Sequence, residues 1–224
     1  RFSGGTAGVV LPKTLLGGSS LYFDPFVWRL RNSNATWGTR TTREVRNFYG
    51  LHLYGDTGPV NLDWTVNYQG GEFQNRPISA WLVLLQQMYK LNKSKTSPRV
   101  GFHFDYASGG GAYGNGTPRN SLAPFGNNIY YSYQLYATPT NLIALAPSVQ
   151  LQPTSKLRLA AEYQLSWRDS VNDAVYRANG QAFAGTQLGN SRKIADTIRF
   201  QAIYPLSPRV SLTARYEHLI AGPA

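Results

Sequence analysis

Residues 156–168 read KLRLAAEYQLSWR and divide cleanly at a two-residue period. Leu157, Leu159, Ala161, Tyr163, Leu165 and Trp167 fall on one side, and Arg158, Ala160, Glu162, Gln164, Ser166 and Arg168 on the other. Successive side chains of a β-strand point to opposite faces, so the stretch predicts a strand. Half-buried strands of soluble proteins usually keep such alternation for about four to eight residues. Here it runs unbroken over the whole stretch, and its apolar row ends in Trp167, a side chain suited to a membrane–water interface. A strand tilted by about 45° crosses a bilayer core in roughly 9–11 residues. The pattern therefore predicts a Leu/Tyr/Trp face toward lipid, an Arg/Glu/Gln face toward a wet interior, and a β-barrel if the chain repeats it.

The chain does repeat it. Alternation predicts strands over 21–31, 43–55, 60–69, 99–108, 141–152, 193–205 and 209–219, with 60–69 the most regular. Residues 78–92 are apolar on both parities at their centre and are compatible with an amphipathic helix; the neighbouring strands favour a strand there too. The total is about nine strands, where bacterial single-chain barrels have an even number of at least about eight. Residues 1–18 read as a flexible, Gly-rich lead-in, and residues 19–224 as one domain. Short turns are expected at 56–59, 93–98, 153–155 and 206–208, and longer connections at 32–42, 70–77, 109–128 and 170–190. Such an imbalance is what an up-and-down barrel inserted in one direction shows. The chain begins at Arg1 and ends on a small polar piece, and it reads as a processed or incomplete part of a longer barrel.

Composition enters as a filter. No run of about 18 apolar residues is present, so no membrane-spanning helix is expected, a point that leaves barrel strands untouched. The absence of Cys excludes disulfides and thiolate metal sites. Lys and Arg number 22 against 11 Asp and Glu, a formal charge of +11. The arginines are scattered singly through strands rather than gathered in a basic helix or run, which argues against nucleic acid as a partner.

Several short pieces, taken together, carry a resemblance: Phe104-Asp105-Tyr106-Ala107-Ser108-Gly109, a long Gly-rich loop, Asn141-Leu142-Ile143, Ser166-Trp167-Arg168 and Val175-Tyr176. As a set they resemble the alginate-export family of outer-membrane β-barrels, over residues 43–222 and in the C-terminal half of that domain. The resemblance implies an eighteen-stranded monomeric barrel in the bacterial outer membrane, with an Arg-rich lumen that passes an anionic uronate polymer. The partners it implies are that polysaccharide, outer-membrane lipid with lipopolysaccharide, and periplasmic export proteins. No cofactor is expected.

With apolar residues toward lipid, the inward set includes Arg29, Arg31, Arg46, Arg99, Asp105, Arg158, Glu162, Arg168, Arg199 and Arg215, together with Asp63 and Glu217. Rings of Arg and Lys select anions in pores, and the planar guanidinium can grip a carboxylate through two parallel hydrogen bonds. The same residues can equally be ordinary ion pairs that solvate the wall. The parities place Trp28, Trp64, Tyr68, Tyr163 and Trp167 outward as an interfacial girdle rather than as sugar-stacking platforms. The loop at 109–128 is open to two readings, a gate at the pore mouth or a surface loop. A nucleophile with an adjacent base is not visible around His52, His103 or His218, so no enzyme is expected. His103 and Asp105 share one strand face and read as a structural hydrogen bond in preference to a metal site. Two other classes stay open on sequence grounds: a porin-like channel for other anionic or small solutes, and a glycan-binding β-protein.

Overall fold

The computed structural model describes residues 1–13, 20–92, 94, 96, 98–124, 128–178 and 180–224. They form one antiparallel sheet of eleven strands. In chain order these are β1 (Phe2–Thr6), β2 (Val9–Val10), β3 (Ser20–Trp37), β4 (Arg40–Thr57), β5 (Val60–Phe73), β6 (Arg76–Lys90), β7 (Arg99–Ala107), β8 (Leu142–Leu151), β9 (Arg158–Trp167), β10 (Lys193–Ser207) and β11 (Val210–Ala221). From β3 onward each strand pairs with the next, an up-and-down meander; the path ends on β1 and β11, which do not pair with each other, so the sheet is open. No described helix is long and apolar enough to cross a membrane.

Nine of these strands are the ones expected from alternation, and two are additions. β1 lies along residues 26–30 of β3 and β2 along residues 22–23, so much of the expected lead-in belongs to the sheet. Its residues 14–18 lie outside the described residues. Segment 78–92 is a strand, β6. Its apolar residues on both parities have separate uses: Ile78, Ala80 and Leu82 are buried beneath loops, whereas Trp81 on the other face is exposed.

Two expected long connections prove to be tight turns. β3 continues to Trp37 and turns at Gly38-Thr39. Gly38 has φ 60°, and a Cβ there would lie 2.5 Å from the Ala112 carbonyl oxygen, so the close approach of a loop requires glycine. β5 runs through Gly70 and Gly71 to Phe73 and turns at Gln74-Asn75, both at positive φ (52° and 58°), as a two-residue type I′ hairpin requires. The remaining asymmetry is strong. One end of the sheet carries only short connections, at 58–59, 91–98, 152–157 and 208–209; the other carries two tight hairpins and the long loops 108–141 and 168–192.

The sheet is inverted relative to a soluble one. On one face, Tyr89, Val100, Val149, Ala161, Phe200 and Tyr216 lie directly opposite one another from β6 to β11, and all but Ala161 are exposed large apolar side chains. The other face buries Glu44, Arg46, Gln69, His103, Asp105, Gln164, Thr197 and Arg199. The two apolar clusters lie on this second face near its long-loop end. Trp37, Phe73 and Ile78 pack with Ala112, Ala174 and Tyr176 from the loops, and Leu82, Ala107, Leu142 and Ala144 pack with Tyr131 and Ala137. The core thus lies between one face of the sheet and its own two loops, and among the described residues none covers the opposite face.

Candidate functional site

The polar face divides into a half covered by loops and a half left open. In the covered half, Arg46 projects from β4 and is fully buried. Its Nε donates to Glu44 Oε1 at 2.7 Å, and its Nη1 donates to Gln69 Oε1 at 2.7 Å and to the Asn120 carbonyl at 2.6 Å. Gln69 continues the seam, donating to the Leu122 carbonyl and accepting from the Leu122 amide, each at 2.9 Å. Residues 120–122 of the loop are therefore laid along β4 and β5 by side chains that the strands project at i, i+2 spacing.

Farther along the same face, His103 Nδ1 bonds Asp105 Oδ2 at 2.6 Å, and the Tyr130 ring lies 4.5 Å from the imidazole. Glu162 accepts from Arg199 and lies 3.5 Å from His103 Nε2. Arg199 also donates to the Tyr130 carbonyl at 2.6 Å. Glu217 accepts from Ser132 Oγ at 3.0 Å and from the Tyr133 amide at 2.7 Å. The described parts of the 108–141 loop therefore lie across the polar face from β4 to β11, and not away from the sheet. Among the described residues no group of three His, Cys, Asp or Glu is arranged to hold a metal ion, and the His103–Asp105 pair is a hydrogen bond.

The open half lies toward the short-turn end. Lys90, Arg99, Gln150, Ala160, Gln201 and Arg215 stand directly opposite one another across six consecutive strands. Arg158 is one inward position farther toward the turn, opposite Ile203. Arg158 and Arg215 are exposed and Arg99 half-buried. Among the described residues none of Lys90, Arg99, Arg158 and Arg215 is in an ion pair. Arg99, Gln150, Gln152, Arg158 and Gln201 border a cleft of about 400 Å³. Arg215 Nε donates to Gln201 Oε1 at 2.9 Å, which holds one guanidinium toward its neighbours. Four cations with amide side chains between them, and no carboxylate in the row, make this part of the face electropositive.

The ten residues singled out by sequence thus separate into four groups. Arg99, Arg158 and Arg215 are on the open polar surface. Arg46, Asp105, Glu162 and Arg199 share that face but are engaged with one another or with the loop. Arg168 also has the inward parity, yet its buried guanidinium donates to the carbonyls of Asp173 at 3.0 Å, Gly189 at 2.9 Å and Ser191 at 2.9 Å, so it anchors the 168–192 loop. Arg29 and Arg31 require a correction. They lie opposite Asn47 and Val45, on the same face as the exposed Tyr49 and Leu51 and not on that of Arg46. β3 is 18 residues long and overruns the apolar band, so its outward side chains at that height are polar. Trp28 is corrected in the reverse sense. It lies opposite Phe48 on the polar face, stacked on Phe26 at 4.0 Å, whereas Trp64, Tyr68, Tyr163 and Trp167 do share the outer face.

Sequence reasoning passed over Lys90, whose place in the cationic row only the register reveals, and over Asp173, Asn120 and Asn141. The Asp173 carboxylate is buried and accepts from the Gly110 amide and Asn120 Nδ2 at 2.6 Å each, from Tyr176 Oη at 2.7 Å and from the Ala174 amide at 2.8 Å. Burial pushes this carboxyl above the usual carboxylate range, and the four donors pull against it. Asn141 bonds the Ser170 amide and carbonyl, and Gly109 donates to Asp169 Oδ2 at 3.0 Å. A signal was present: Gly109, Asn141, Arg168 and Tyr176 all belong to the motif pieces quoted for the family resemblance. In space those pieces form one cluster, where the two long loops are tied to each other and to the ends of β7 to β9.

The described residues thus form a meandering antiparallel sheet with exposed apolar side chains on one face and cations along the open half of the other. The alginate export family matches residues 22–224, essentially the whole chain, and the protein belongs to that family. The match begins earlier than the quoted motifs, near the start of β3. No curated protein sequence matches the chain.

Proposed function

We propose that this chain forms the wall of an outer-membrane β-barrel channel that passively exports an anionic polysaccharide of the alginate type. The observation that carries the reading is the row from Lys90 through Arg99 to Arg215, with Arg158 beside it, on the open half of the polar face. A uronate polymer carries one carboxylate per sugar. Spaced guanidiniums can pass it from one to the next, because each contact is moderate and is exchanged for an equivalent one. The edges support closure into a barrel: among the described residues β1 and β11 do not pair with each other, and lipid does not tolerate open sheet edges. The apolar outer rows supply the lipid-facing surface. β7, β8 and β9, at nine to ten residues, have the length a tilted strand needs to cross the bilayer core. The end with the long loops faces outside the cell, as in barrels with short periplasmic turns. No catalytic step is assigned to any residue.

The experiment is planar-bilayer conductance of the natural protein under a salt gradient, with polymannuronate added to one side. Anion-selective current blocked by the polymer supports the reading. A selective current that small carboxylates compete for but polymer does not block would make it a small-anion channel, and cation selectivity would remove the anionic substrate altogether.

A further inference from the structure

The outer face changes character at a defined height. Val27, Tyr49, Tyr68 and Trp81 lie opposite one another from β3 to β6 and close the apolar band with three aromatic rings. The next row toward the long loops is Arg29, Asn47, Gly70 and Ser79, and the row beyond it is Arg31, Val45, Glu72 and Pro77. Arg43 stands two positions past Val45 on β4, on the same side. Same-face neighbours along a strand are about 6.6 Å apart, and diagonal neighbours across a pair about 7–8 Å apart. Arg29, Arg31 and Arg43 therefore form a diagonal line of long, exposed side chains, each one same-face or diagonal step from the next.

Nothing in the proposed export path uses them, because the sheet itself separates them from Arg46 and the cationic row. Among the described residues none of the three is in an ion pair. Arg29, Arg43, Asn47, Glu72, Gln74 and Asn75 border a concave site of about 610 Å³. Two cations of its lining, Arg29 and Arg43, against the single carboxylate of Glu72 leave it electropositive, and Arg31 stands beside it on the same face. Its height, immediately above an aromatic row that marks the edge of the apolar band, is where the phosphates of a bilayer lie. Guanidinium groups suit phosphate because two parallel donors meet two oxygens.

We propose that Arg29, Arg31 and Arg43 bind the phosphate groups of a phosphorylated glycolipid in the leaflet on the long-loop side. This rests on the outer face being lipid-facing. The asparagines and Gln74 around the cleft supply neutral donors for the sugar hydroxyls and amides of such a headgroup, which a simple diacyl phospholipid lacks.

The test is native mass spectrometry of the natural protein in detergent with added lipid A, lipid A stripped of its phosphates, and inorganic phosphate. The wild type is expected to retain lipid A, and the Arg29→Gln/Arg31→Gln/Arg43→Gln variant to lose at least about tenfold in bound fraction. Because the three side chains are exposed, the variant should fold; the corresponding triple Lys variant, with charge kept and the fork lost, should bind at an intermediate level. Equal lipid A binding by wild type and Gln variant, or equal binding of the dephosphorylated lipid by the wild type, overturns the site. Displacement of lipid A by a tenfold excess of inorganic phosphate would reassign the site to free phosphate and overturn the glycolipid. Sedimentation without detergent separates the two levels. A chain that stays monodisperse in plain buffer removes the membrane reading itself, whereas a detergent-dependent chain with unchanged lipid binding removes only this site.

Discussion

Arg46 and Asn120 are joined by a hydrogen bond of 2.6 Å from the Arg46 Nη1 to the Asn120 carbonyl, and through it a strand of the wall holds a loop against its own polar face. The guanidinium is buried with Glu44 as its counter-charge. Removing one member of a buried pair strands the other, at a cost of about 3–5 kcal/mol, whereas replacing both by apolar groups is often close to neutral. Arg46→Met is therefore expected to lower stability in urea titrations of the vesicle-reconstituted protein by that amount, and Arg46→Met/Glu44→Leu to recover most of it. Additive losses in the double variant would contradict the pairing.

Arg158 and Arg168 share one parity at opposite ends of one sequence pattern and have different jobs. Arg168→Ala leaves several buried carbonyls of the 168–192 loop without a donor, each worth about 1–3 kcal/mol. It should make that loop open to protease while leaving ion selectivity in place. Arg158→Ala should do the reverse. A selectivity change in Arg168→Ala with the loop still protected would return that residue to the pathway.

This contrast shows where the sequence was legible. Period-two alternation located β3 to β11 and paired parity with face correctly on strands such as β9, as in Leu159, Tyr163 and Leu165 against Glu162 and Gln164. It failed where the band ends. Arg29 and Arg31 alternate with Phe26, Trp28 and Leu30 as lumen residues would, but at their height the outer apolar rows have ended and polar residues stand there instead. The turns failed for a local reason: Gly70 and Gly71 look like a bend, yet they lie within β5, Gly71 directly opposite Arg46, and the turn falls on Gln74-Asn75. β1 and β2 carry little pattern of their own and are strands because β3 offers them an edge. The loop anchors Asp173, Asn120 and Asn141 are ordinary polar residues in sequence, and only the fold brings them together.

The bare apolar face gives its own prediction. Val66 on β5 is exposed and sits between Leu51 and Val83 in the middle of the outer band. An arginine on the lipid side near the bilayer midplane costs about 2–4 kcal/mol. Val66→Arg is expected to lower the folded fraction in lipid vesicles, and Thr65→Arg on the polar face to change it little. Equal effects of the two would contradict the assignment of faces.

Asp173 makes loop docking sensitive to pH in a stated direction. Burial, its largest influence, raises the folded carboxyl above its unfolded value. The stability it contributes is then fully present below the ordinary carboxylate range and is lost as pH rises through the raised value. Hydrogen exchange of residues 168–192, taken as the ratio of wild type to Asp173→Asn at each pH, should show protection falling as pH rises above about 4. A ratio that is flat, or that rises with pH, would mean that the four donors outweigh burial.

The central claim is that the open cationic row is the path of the polymer. The most direct measurement is the polymannuronate concentration that halves bilayer current in the natural protein and in its Arg99→Gln/Arg158→Gln/Arg215→Gln variant. Loss of three moderate guanidinium–carboxylate contacts should raise that concentration by at least about tenfold and reduce anion selectivity, with single-channel opening retained. An unchanged blocking concentration and reversal potential in a folded variant would contradict the account and send the polymer elsewhere.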